Sequence, residues 1–209
     1  MLVVERIVAA ASLAWAAALL LAQLLLAWGG GRKDYSVRAG SPGRAVLFNL
    51  TAAMAPAHKE AARLHPGKFA VGVALHVGVA VAVVEALAAM VRPEAGPLRP
   101  TAAGTLAALS VVAGLYLLAR RALSRTLRFM SCPDDYVAAA VTSGFILAAA
   151  LYAFGVLAAS PFLIFTAFTF FYLPLGKLRH VLFCPVSRVD LGRRLGYRGT
   201  YPAPRATKS

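Results

Sequence analysis

The stretch FAVGVALHVGVAVAVVEALAAMV, Phe69 to Val91, decides the fold: a single histidine, His76, and a single carboxylate, Glu85, are its polar side chains. Coiled as a helix it is long enough to cross the ~30 Å hydrocarbon core of a bilayer, where every backbone N–H and C=O must be satisfied within the segment. Working outward, four more apolar runs of spanning or near-spanning length appear: 7–28, 102–119, 137–158 and 161–178. The first is longer than the core of a secretory signal and runs into Gly29, Gly30 and Gly31 without a small-x-small cleavage pattern, so it reads as a retained helix. The expected fold is all-α, a five-helix transmembrane bundle over 1–186, followed by a basic tail at 187–209.

Composition agrees. With 60% hydrophobic and 14% charged residues among 209, the chain is too apolar for a soluble domain. A net charge of +14 would suggest nucleic acid in a soluble protein. Here the basic residues sit beside the apolar runs, which makes them a topology signal and leaves no nucleic-acid role. Nineteen of the 22 Lys and Arg fall in 32–68, 120–128 and 177–209, and the positive-inside rule then puts the N-terminus outside and the C-terminus in the cytoplasm of a multi-pass protein of the cell inner membrane. The segment 44–64, apolar residues mixed with His58, Lys59, Glu60 and Arg63, suits a short interfacial helix bracketed by Pro56 and Pro66. Cys132 and Cys184 have no cluster spacing, so an iron–sulfur centre has to come from a partner.

Histidines carry the chemistry. Of the four, His65, His76 and His180 lie in or at the ends of spans, where ionisable side chains are rare. If one helix carries both His65 and His76, the eleven-residue spacing keeps them within roughly 20° of one face and ~16 Å apart along the axis. Counted from the centres of their spans, His65 and His180 lie at matching depth, roughly 22 and 18 Å toward the cytoplasm. Two histidines level with each other on different helices are what a bis-imidazole haem b requires. Packing or interfacial roles are the plain alternative for each.

The end of the last run is specific. Pro174-Leu175-Gly176-Lys177-Leu178-Arg179-His180, with Pro185 following, resembles the final helix of the respiratory nitrate reductase gamma subunit family, which includes cytochrome b subunits of heterodisulfide-reductase-like and sulfite-reduction complexes. Leu64-His65, Leu75-His76-Val77-Gly78, and the basic loop leading to Ser131-Cys132-Pro133-Asp134-Asp135-Tyr136 are similar to the family as well. The resemblance implies haem b held by His65 and His180, quinol as electron donor, and a cytoplasmic iron–sulfur subunit and catalytic subunit as partners. It also implies that Lys177 and Arg179 sit near the haem propionates, where positive-inside topology explains them equally. One departure stands out: the family's further histidine near the external end of the last helix has no counterpart in Pro161-Phe162-Leu163-Ile164-Phe165. His76 is thereby left as the ligand of a second haem with an unusual sixth position, or as part of a quinone pocket.

Glu85 has two readings, proton acceptor from quinol or structural partner within the bundle. Against the haem subunit stands a second class of function, a haem-free membrane anchor or assembly scaffold for a soluble redox partner. A small transporter is a third, disfavoured because Glu85 is the only carboxylate within the runs.

Overall fold

The computed structural model describes residues 2–30, 35–98 and 100–201. Arg32, Lys33, Arg99 and the end of the expected tail lie outside them. The chain is all-α, with no strand among the described residues. Four helices are long and apolar enough to cross a membrane: α1 (Leu2–Gly29), α4 (Pro66–Val91), α5 (Pro100–Leu123) and α7 (Pro133–Ala153). The remaining α-helices are α2 (Pro42–Leu50), α3 (Glu60–Leu64), α6 (Arg125–Phe129), α8 (Ala159–Tyr172) and α9 (His180–Tyr197). A fifth span exists if α8 and α9 are taken together across their interruption. The expected interfacial helix at 44–64 is instead α2, two 3-10 turns at 52–54 and 56–58, and α3.

Proline sets the helix starts. α2, α4, α5 and α7 each begin on Pro, whose fixed φ suits the first helical position and whose missing N–H would have had no partner there. In α7 the start is reinforced by Asp135, which accepts the Cys132 N–H at 3.0 Å. Gly155, at φ 73°, closes the far end of α7 in the left-handed conformation.

Two compact units divide the chain: Met1–Leu20 with Gly67–Arg179, and Leu21–Pro66 with His180–Ser209. The first is a bundle of small residues and aromatics. α5 buries only Ala103, Gly104, Ala107, Ser110, Ala113 and Gly114, so its neighbours approach closely, as helices do where lipid offers no hydrophobic drive to associate. Gly78 of α4 lies directly on the Ser110 side chain, whose hydroxyl donates across the helix pair to Ala74 O at 2.8 Å. Against α7, α8 supplies Phe162 and Leu163, both fully buried. Phe162 stacks on Tyr152 at 4.7 Å between ring centroids.

The fifth expected span, 161–178, does not run through. α8 stops at Tyr172, and a tight turn follows in which Leu175 and Gly176 donate to Tyr172 O. Pro174 cannot donate to a continuing helix. Asp134 of α7 then takes the Tyr172 hydroxyl and, at 2.9 Å, the Lys177 N–H, so the break is tied down from the opposite helix.

In the second unit α9 packs on α2. Gly192 and Gly196, one turn apart, lie against the Pro42–Val46 backbone. Asn49, fully buried, donates to Arg188 O at 2.6 Å and accepts from the Arg188 guanidinium at 3.1 Å. Ala39 and Gly40 close the end of α9 by donating to Tyr197 O. The expected boundary at 186 therefore falls inside a helix, and the start of the expected tail is packed structure.

Candidate functional site

The three histidines differ in setting. His76 lies on α4 in an exposed stripe with Val73, Val77, Ala80, Val84 and Leu87, one face of the helix. Its Nδ1 is 2.7 Å from Gly72 O. A carbonyl can only accept, so Nδ1 is the donor in this contact, which leaves Nε2 as the one ring nitrogen open to another group. His65 stands in the non-helical joint between α3 and α4 and is exposed. Because α4 begins at Pro66, the same-helix arithmetic linking His65 to His76 does not hold.

His180 is the first residue of α9 and, in the second unit, lines a cavity of about 750 Å³. Leu24, Trp28 and Phe183 give that cavity apolar walls, and Arg188, Arg193 and Arg194 bring positive charge to it. Cys184, one turn after His180, is a free thiol on the same wall. His65 belongs to this unit but is not on the cavity wall. The structure thus sets one imidazole at the cavity and does not bring His65 and His180 together there. Among the described residues no group of three or more His, Cys, Asp or Glu is placed to hold a metal ion.

Lys177 and Arg179 stand in the 3-10 turn 177–179. Lys177 Nζ is 2.8 Å from Asp135 Oδ2, while Arg121 pairs with the other oxygen at 3.1 Å. Asp134 and Asp135 together anchor this end of the first unit, a role that reading the sequence did not give them. Arg179 is exposed.

At the opposite end of the first unit Glu85 is buried at 2% exposure. It accepts the Leu98 N–H at 3.2 Å, which folds the connection after α4 back onto the bundle. The partner it holds is thus a backbone N–H. Sequence reading missed Glu5, because the first apolar run starts two residues later. In the structure Glu5 is inside α1 and 8% exposed, and its Oε1 accepts the Ser160 hydroxyl at 2.7 Å. Arg6 beside it donates to Met90 O at 2.7 Å, covering a C-terminal carbonyl of α4. The Glu5-Arg6 pair at the head of an apolar run was the available signal.

Comparison of the chain with protein-family models, with curated proteins and with solved structures gave no match.

Proposed function

We propose that this chain is a b-type haem membrane subunit of a respiratory oxidoreductase, similar to the nitrate reductase gamma subunit, relaying electrons between quinol and a cytoplasmic iron–sulfur subunit in the cell inner membrane. The carrying observation is the cavity of His180: an imidazole, apolar walls and three arginines around about 750 Å³. Those residues fit one face of a haem b. His180 would hold the iron, Leu24, Trp28 and Phe183 would exclude water, and Arg193 would pair with a carboxylate, since Arg188 holds Asn49 and Arg194 holds Asp190. A bound haem would supply one-electron chemistry at its iron. By resemblance His65 would be the second residue to hold it. Phe162, fully buried in the region where the family carries a further histidine, favours a single haem; a second would be held by His76, whose Nδ1 is engaged by Gly72 O. Of the two basic residues flanking His180, Arg179 is the better candidate for a propionate, since Lys177 holds Asp135.

The reading is tested by a reduced-minus-oxidised spectrum with pyridine haemochrome quantification on protein from haem-replete cells. One b haem per chain, lost in His180→Ala, is the expected result. A full b-type spectrum in His180→Ala overturns it. A colourless wild-type protein that retains a soluble partner establishes the anchor reading, which the absence of His65 from the cavity wall and the pairing of Lys177 with Asp135 favour.

A further inference from the structure

Within the first unit, residues 124–132 connect α5 to α7, and hydrogen bonds of the connection itself fix its shape. Ser124 Oγ accepts the Leu127 N–H at 3.4 Å and opens the short helix α6. The Ser131 hydroxyl donates to Leu127 O at 2.6 Å and accepts from Arg121 at 2.9 Å, while Arg121 also pairs with Asp135 of α7 at 3.1 Å. This leaves Leu127 half-buried. Leu123, Phe129 and Met130, by contrast, are exposed by 81%, 92% and 74%.

Cations are interleaved with these apolar side chains. Arg125 and Arg128 are exposed on α6, three residues apart and so on one face of it. Together with Arg120 they make no ion pair among the described residues. No acidic residue lies between Glu94 and Asp134, and the two carboxylates that follow are already engaged. Asp134 holds the Tyr172 hydroxyl and the Lys177 N–H, and Asp135 holds Arg121 and Lys177.

Three large apolar side chains set among unpaired arginines fit either an anionic bilayer or an acidic cleft on a soluble protein, and reach decides between them. α5 has 24 residues and rises ~36 Å, more than the ~30 Å hydrocarbon core, so its Arg120–Leu123 end stands among headgroups. The connection that follows is tied to a span at both ends, at Leu123 and at Pro133. Its middle is five residues from either anchor, which at the helical rise of α6 is ~8 Å, about the depth of the headgroup layer. Phe129 and Met130 are thus held at the level where apolar side chains enter the acyl boundary and arginines meet phosphates. We propose that residues 120–130 form a docking surface for anionic phospholipid headgroups, with Arg125 and Arg128 on phosphate oxygens and Phe129 and Met130 seated in the acyl boundary. The surface uses none of the histidines, so it stands apart from the haem reading.

The test compares hydrogen–deuterium exchange of the full chain in nanodiscs of phosphatidylcholine alone and of phosphatidylcholine with about 30% phosphatidylglycerol. Amides of 124–131 should exchange about 10-fold more slowly with phosphatidylglycerol present, and added salt should weaken the effect. Arg125→Gln combined with Arg128→Gln, both at exposed positions, should erase the difference between the two bilayers while thermal unfolding stays as in the wild type. Arg63→Gln combined with Arg92→Gln removes the same charge from exposed positions elsewhere and should keep the difference. Phe129→Ser, which takes away an apolar anchor, should speed exchange of the loop in both bilayers. Equal exchange in the two bilayers, or a difference that survives the loss of Arg125 and Arg128, overturns the proposal. A difference lost equally in both double variants overturns it too, because that is a general effect of net charge. So does a loop left unprotected in both bilayers and protected only when soluble cell extract is added, the behaviour of a protein-docking surface.

Discussion

Substituting Gly192 with Ala should loosen the second unit selectively. A Cβ at this position would stand 2.7 Å from Val46 Cα, 2.9 Å from Val46 N and 3.1 Å from Ala45 O. All three neighbours are backbone atoms, which cannot rotate aside, so α2 has to retreat by about 1 Å to restore ordinary contact near 3.7 Å. Overpacking of this kind costs about 1–3 kcal/mol. Alanine's better helix preference returns about 1 kcal/mol. The retreat also stretches both hydrogen bonds between Asn49 and Arg188. A net loss of about 1–2 kcal/mol corresponds to a rise of roughly 5- to 30-fold in the opening equilibrium. Hydrogen–deuterium exchange of the purified protein should show it in the amides of 42–50 and 188–197. Amides of α5 and α7, in the first unit, should exchange as before. Gly43→Ala is the control, because its Cβ meets nothing within 4 Å, and it should leave exchange unchanged or slow it. Equal acceleration in both variants, or none in Gly192→Ala, would refute the close approach of α2 to α9.

Two further outcomes follow from the first unit. Gly78→Ala drives a methyl into the Ser110 side chain and should destabilise the protein by about 1–3 kcal/mol in thermal unfolding; adding Ser110→Gly should recover part of that loss, and no recovery would place the strain elsewhere. Asp134→Ala removes the acceptor of the Tyr172 hydroxyl and the Lys177 N–H, so the turn at 173–179 should open about 2 kcal/mol more easily, read as faster exchange or proteolysis confined to that turn.

Hydropathy alone determined that this is a multi-pass helical membrane protein, and it located α1, α4, α5 and α7 to within a few residues. The physical reason is that a bilayer leaves an apolar segment no other way to satisfy its backbone, so a local sum over the sequence suffices. His76 was legible for the same reason, since a lone imidazole in such a segment is conspicuous; its tautomer was not, because that depends on a carbonyl one turn away. What only the tertiary structure decided depends on partners far apart in the chain. Asp134 meets Tyr172 across 38 residues, Asn49 meets Arg188 across 139, and Ser160 meets Glu5 across 155. These contacts help to end α8 early, hold α9 as packed helix past the expected boundary, and tie Glu5 of α1 to the start of α8. No window sliding along the sequence registers such pairings, because a hydrogen bond between distant segments changes neither the composition nor the period of either one.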